Sequence, residues 1–321
     1  MKNLCITAAL IAIATPGVGQ AAGLPRNYVF AGGSSVREVA HLLDRPEIEG
    51  VQIVYDWREL EPEEGRYEFA RIEQDLEQAA RRGKRLWIQL QDRFFRPQDR
   101  LLPDYVLDEP QYGGGLARQL DSPGEGKVVA SGWTAMQWNV AVRARFQALI
   151  SALAERFDGR VEGLNLPETA FQLPEQAEEH FDCDGYFEAE LENALFARRA
   201  FAQSLVVQYV NFFPCEWNND HRYMERFFAA AVVNGIGLGG PDIVPYRQGQ
   251  MRNSYPFFNQ LHDELPIVAM AVQGATLTYT NPATGQQFTR EEFVDFATDY
   301  LGVDIIFWAQ EAPWFENGVT Q

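Results

Sequence analysis

The sequence predicts an α/β protein of one domain folded as a (β/α)8 TIM barrel. Two observations carry this. Eight short apolar segments alternate with seven helical ones, and strands alternating with helices imply parallel βαβ units. No composition break marks a linker within residues 23–321, and eight units in about 300 residues fit a closed barrel. A doubly wound open sheet is the alternative. The lack of a Gly-rich phosphate fingerprint after any strand counts against it.

In chain order, Lys2 precedes the apolar run Leu4 to Ala14, then Pro16 and small residues to Ala22. This reads as a signal peptide over 1–22, too short to span a bilayer. Tyr28 to Phe30 is the first strand, followed by a helix over Ser35 to Leu43. Val51 to Trp57 is the second strand, and Arg71 to Arg82 a helix ended by Gly83. Arg85 to Gln91 is the third strand. Residues 92–133 form a long connection with Gly113-Gly114-Gly115 and Ser122-Pro123-Gly124, a length typical of lids and binding loops. Tyr105, Tyr112 and Trp133 either line it or anchor it. A helix over Thr134 to Phe157 leads into the fourth strand, Val161 to Leu166. Pro167 cannot donate to a ladder and stops that strand, leaving Glu168 at its carboxyl end, where barrels place chemistry. A helix over Tyr186 to Ala202 and the strand Leu205 to Val210 follow. Next come a helix over Arg222 to Val233, the glycine-rich strand Ile236 to Leu238 and a helix over Tyr255 to Glu264. Ile267 to Val272 is the seventh strand. Thr289 with Glu292 opens a helix to Leu301, and Val303 to Trp308 is the eighth strand.

Composition narrows the function classes. Hydrophobic residues make up 46% and aromatic residues 13%, enough for a large core. A net charge of −18 argues against nucleic acid and anionic lipid as partners. It suits a neutral substrate, and equally the solubility of an exported protein. Cys183 and Cys215 remain after the signal segment, and in an exported chain they read as a disulfide; two free thiols are the alternative. Histidines 41, 180, 221 and 262 lack ligand spacing, so no metal or other cofactor is expected. No G-x-S-x-G element is present, and no segment after residue 22 is long and apolar enough for membrane insertion.

If the barrel closes, its strand ends gather Asp56 and Trp57, Gln89, Gln91 and Asp92, Asn165 and Glu168, and Gln208 and Asn211. They also gather Glu216 and Trp217, Asp242, Gln273, and Trp308 with Glu311 and Trp314. Amides and carboxylates hydrogen-bond hydroxyls, indoles stack on sugar rings, and a carboxyl pair is the machinery of glycosidic cleavage. The plain alternative is that acids on loops are solvated and buried tryptophans are core.

Three stretches resemble the clan A glycoside hydrolases, barrels with catalytic acids on strands four and seven. Trp57 to Pro62 with Gly65, Tyr67 and Phe69 is similar to the family segment W-x-x-x-E-P-x-x-G-x-Y-x-F. Gly163 to Glu168 resembles the fourth strand with its acid/base glutamate. Ile306 to Trp308 resembles the eighth strand with a substrate-platform tryptophan. The resemblance implies Glu168 as general acid/base. Of the strand-end residues, Asp56, Trp57, Gln91, Asp92, Asn165, Gln208, Trp217, Gln273 and Trp308 are the expected carbohydrate-binding set. Two positions depart from the pattern. Pro167 stands where the family has Asn. Gln273 stands where it has the nucleophilic glutamate, and an amide cannot serve as that nucleophile. A second carboxylate is then expected from Glu311 first and Asp242 second, with Asp56 and Asp92 as further options. The expected activity is hydrolysis of a neutral poly- or oligosaccharide. A non-hydrolytic carbohydrate-binding barrel, or an unrelated barrel enzyme, is the alternative.

Overall fold

A computed structural model describes residues 23–121, 129–173 and 181–316. The predicted signal peptide and His180 lie outside these ranges. The strands are β1 (Arg26–Phe30), β2 (Ile48–Asp56), β3 (Arg85–Gln91), β4 (Arg93–Phe94), β5 (Leu116–Asp121) and β6 (Val129–Ala135). They continue with β7 (Gly163–Leu166), β8 (Leu205–Tyr209), β9 (Gly237–Gly240), β10 (Val268–Val272) and β11 (Ile305–Ala309). Eight of them close into a parallel barrel in the order β1-β11-β10-β9-β8-β7-β3-β2. The first pairs with the last from Arg26↔Ile305 to Phe30↔Ala309.

Strand alternation sorts the core into two layers. Tyr28, Trp87, Tyr209, Ala271 and Phe307 belong to the cluster inside the barrel. Their neighbours Val51, Leu86, Met270, Ile306 and Trp308 face outward onto the helices. The interior is filled by pairing large side chains with glycine. A Cβ on Gly163 would lie 2.6 Å from Trp87 Cε3, so the indole occupies the place that any larger residue on β7 would need. The amino-terminal end is closed by the nearly buried Glu162 carboxylate. It accepts from Arg26 at 2.7 Å and from the Tyr28 hydroxyl. At the opposite end the inward-facing Val54 and Asp56 are partly exposed, which marks an open mouth.

The helices that cover the barrel are α1 (Ala40–Leu43), α2 (Ala70–Ala80), α3 (Val140–Phe157), α4 (Cys183–Ala200), α5 (Tyr223–Asn234), α6 (Tyr255–Leu261) and α7 (Arg290–Phe296). The expected capping box at α7 is present, with Thr289 accepting from Glu292 N and Glu292 accepting from Thr289 N. Gly235 ends α5 at φ 67°. The expected helix from Ser35 shrinks to α1 because its first residues form turns.

The 92–133 connection, expected as plain loop, carries a three-stranded antiparallel sheet in the order β4-β6-β5. Thr134 belongs to β6, so α3 begins later than expected, at Val140, where the Asn139 side chain caps Ala141 N at 2.8 Å. The aromatic residues of this segment anchor it. Trp133 donates to Pro97 O at 2.8 Å, and the guanidinium groups of Arg100 and Arg118 lie 5.0 and 4.9 Å from its ring. Tyr112 is buried against Tyr105. Leu120 N donates to Gln172 O at 2.7 Å, which ties the small sheet to the loop that follows Glu168.

Candidate active site

Glu168 follows Pro167 at the carboxyl end of β7 and is half-buried. Its turn is held from four sides. Gln208 Nε2 donates to Pro167 O, and Thr169 N donates to Tyr209 O at 3.0 Å. The Tyr186 hydroxyl donates to Thr169 O at 2.7 Å, and Arg93 donates to Ala170 O at 3.4 Å. The carboxylate itself accepts from Asn211 Nδ2 at 2.6 Å. A carboxylate held this way keeps its aim without needing a ligand to order it.

From Glu168 an arc of polar groups follows the rim. A Cβ on Gly240 would lie 3.6 Å from Asn211 Oδ1 and 3.7 Å from Asp242 O, so Asn211 spans the gap between Glu168 and the end of β9. Asp242 is half-buried. Its carboxylate accepts from the Thr276 hydroxyl, and its backbone pairs with Val272 at the end of β10. The half-buried Gln273 comes next. Beyond it, a Cβ on Gly274 would meet the Glu311 carboxyl, 3.3 Å from Cδ, so Glu311 leans across the end of β10 from beyond β11. Burial raises the Tyr209 hydroxyl pKa. The Gln52 hydrogen bond partly opposes this, and the negative charges of Asp242 and Glu168 add to it. Tyr209 therefore feels both acids.

A buried charge cluster backs this arc. Arg93 is 1% exposed and donates to the Tyr186 hydroxyl at 2.5 Å and to Glu190 at 3.3 Å. Burial opposes its charge, but Tyr186, Glu190, Asp92 and Glu168 outweigh that and raise its pKa. Burial pushes Glu190 up to about 7 against the pull of Arg93. It raises Asp92 as well, against Arg93 and Gln137.

The remaining expected site residues divide. Trp57 and Trp308 correct the expectation of substrate contact, and for Trp308 that of a platform. Both face outward and are buried, because Trp57 shares the phase of Val51 and Tyr55, and Trp308 that of Ile306. Trp57 donates to Glu61 at 2.9 Å and packs on Phe146. Trp308 donates to Asn27 at 2.7 Å and packs on Trp314. Asn165 lies a layer below the mouth, wholly buried; its Oδ1 accepts from Gln52 Nε2 at 3.2 Å, and that same nitrogen lies 3.0 Å from the Tyr209 hydroxyl. Gln208 is likewise buried and acts on the Glu168 turn. Asp92 is enclosed, accepting from Gln137 at 2.7 Å, and Gln91 Nε2 is engaged by Arg93 O. Asp56 stays at the mouth with its pKa raised by burial, while its side chain caps Glu59 N at 3.1 Å. Glu216 caps α5 through Tyr223 N and Met224 N. Trp217 is 46% exposed on the loop after β8. The expected disulfide Cys183–Cys215 is present, with Cα atoms 6.2 Å apart. It joins the start of α4 to the loop after β8.

Arg93, Glu190 and Tyr186 escaped the sequence reading, because two of them lie on a helix whose inward face carries no sequence mark. Gln52 did leave a signal, a lone amide in the apolar run VQIVYDW.

No protein-family model matches the chain, and no curated protein is similar to it in sequence. Solved structures share its architecture. The catalytic domain of a β-amylase from Paenibacillus polymyxa aligns over 89% of this chain and 92% of its own, with a TM-score of 0.55 and 6% identity. A thermostable mutant of a xylanase from Cellvibrio japonicus aligns over 92% and 90%, with a TM-score of 0.51 and 14% identity. A β-galactosidase from Rahnella sp. R3 aligns over 90% of this chain and 51% of its own, with a TM-score of 0.53 and 14% identity. The chain thus has the barrel architecture of these glycoside hydrolases.

Proposed function

We propose that the chain is an exported glycoside hydrolase acting on a neutral poly- or oligosaccharide, with Glu168 as general acid. The observation that carries this reading is the Glu168 carboxylate itself. It is half-buried at the end of the fourth barrel strand and held at 2.6 Å by Asn211, and it begins a polar arc that reaches Asp242.

Barrel order supports Asp242 over Glu311 as the second carboxylate. Adjacent strands lie about 4.8 Å apart, so β7 and β9, two strands apart, separate their ends by about 10 Å. That suits the ~6.5–9.5 Å carboxyl spacing of an inverting glycosidase. β11 stands across the barrel from β7, and Glu311 leans back from it only as far as the end of β10, three strands from β7, so Asp242 stands one strand nearer. In this scheme Glu168 protonates the departing glycosidic oxygen. Asp242 takes a proton from the water that attacks the opposite face of the sugar, and Gln273 orients that water or a neighbouring hydroxyl. Asp56 and Trp217 are further candidates for holding the substrate.

A second reading, carbohydrate binding without cleavage, draws support from Gln273 in the seventh-strand position. Purified protein on a library of bacterial and plant polysaccharides separates the two. Hydrolysis is expected to release reducing ends whose first-formed anomer is inverted relative to the substrate. Retention at the anomeric carbon would reject Asp242 as base. Binding with no reducing ends on any glycan would favour the second reading.

A further inference from the structure

We infer that the pocket between the loops after β9 and β10 is a distal sugar subsite, so that the substrate is a chain several rings long. This rests on the carbohydrate reading above. The pocket holds about 170 Å³ and is lined by Val244, Pro245, Tyr246 and Arg247 from one loop and by Tyr279 and Phe288 from the other. Drug-sized sites span about 300–1,000 Å³, so this one admits a single ring.

Three observations favour a ring bound in continuity with the rim. First, the pocket is built onto Asp242. The Tyr255 hydroxyl donates to Asp242 O at 3.0 Å and accepts from Val244 N at 3.0 Å. Asp242 accepts from Thr276, which opens the turn leading to Tyr279. Second, Tyr246 adopts φ 66°, a left-handed conformation that is rare for a bulky residue, yet the residue stays 58% exposed. Its ring centroid lies 6.5 Å from Phe288 and 6.0 Å from Phe296, so it stands on an aromatic base with one side toward solvent. Third, polar groups flank that ring. Arg247 donates to the Tyr279 hydroxyl at 2.9 Å with its guanidinium 5.2 Å from the Tyr279 ring, which fixes a fork of donors beside an aromatic face. A flat apolar surface with fixed donors at its edge matches a pyranose, which has an apolar face and a girdle of hydroxyls. Because Tyr246 rests on the helical layer, outboard of Asp242, its ring meets a sugar removed from the bond being cleaved.

Tyr246→Gly tests this cleanly, since glycine accepts the left-handed backbone and removes only the ring. Calorimetry would compare Glu168→Gln with Glu168→Gln/Tyr246→Gly, using xylo-, cello- and malto-oligosaccharides of two and six units. In the series that binds, Tyr246→Gly is expected to weaken the six-unit ligand about 3- to 10-fold and to leave the two-unit ligand unchanged. Tyr246→Trp is expected to restore the loss, and melting of the glycine variant is expected to be no lower. An unchanged six-unit affinity would overturn the subsite. If the Tyr246→Gly enzyme then still releases reducing ends, the subsite alone has failed. If no oligosaccharide is bound or cleaved at any length, the carbohydrate reading has failed and the subsite with it.

Discussion

Replacing Cys183 and Cys215 together with serine removes the one covalent tie between the loop after β8 and the start of α4. The bridged residues are 32 positions apart. The loop-closure relation for that length gives about 4 kcal/mol of stabilisation, through fewer open states of the unfolded chain. Unfolding entropy of about 2.1 cal/mol/K per residue sums to about 0.6 kcal/mol/K for ~300 residues, so the melting temperature is expected to fall by about 6 °C. The local effect adds to this. Cys215, Asn218, Asn219 and Arg222 all adopt left-handed φ, and such strain persists only where the surroundings enforce it. Asn211, which holds Glu168, lies at the start of the same loop, so activity is expected to fall further than stability alone dictates. Melting of the wild type with and without reductant, beside the double serine variant, reads the first effect. Equal melting temperatures in all three samples would refute the reasoning.

Other perturbations follow from the same geometry. Asp242→Asn is expected to lower turnover about 10²–10⁴-fold as the loss of a general base, with Glu311→Gln much milder; the reverse ranking in a reducing-end assay would return the second carboxylate to Glu311. Gly163→Ala drives a methyl group into Trp87 and is expected to cost about 1–3 kcal/mol, partly recovered by Trp87→Phe; thermal melting decides. Glu190 titrates at about 7 in the fold against about 4.3 when unfolded, so the fold holds the extra proton. Stability is therefore expected to fall by up to about 3 kcal/mol as pH rises from about 4 to 7. Glu190→Gln is expected to flatten that slope in denaturant titrations, and an unaltered slope would exclude Glu190 as its source.

The barrel was legible because its strands are short apolar runs bounded by helical spacing and turn residues, as in VQIVYDW and LVVQYV. Even the weak glycine-rich strand had a reason to be weak. A Cβ on Gly239 would run into the backbone carbonyl of Ala269 and lie 2.8 Å from its carbon, so the close approach of β10 leaves no room for a side chain. The segment most specific to the glycosidase resemblance turns out to organise structure. The buried Glu61 carboxylate accepts from Trp57 and from Gly65 N, each at 2.9 Å, and pairs with Arg145. Trp57 and Trp308 lie away from the mouth because strand phase sets their direction, and one residue of register moves a side chain to the other face. The small sheet β4-β6-β5 stayed hidden because LARQLD lacks the branched and aromatic residues that mark strands. The buried Asp92–Arg93–Glu190 cluster joins two strand-end residues to a helix about 100 positions later, a pairing that no local pattern encodes.

The most direct measurement is reducing-end release by Glu168→Gln beside the wild type, on whichever glycan the wild type cleaves. Loss of about 10²–10⁴-fold in turnover, with melting essentially unchanged, is the result expected if Glu168 delivers the proton. A Glu168→Gln enzyme that cleaves as fast as the wild type would contradict the assignment, and with it the role given to the arc from Asn211 to Asp242.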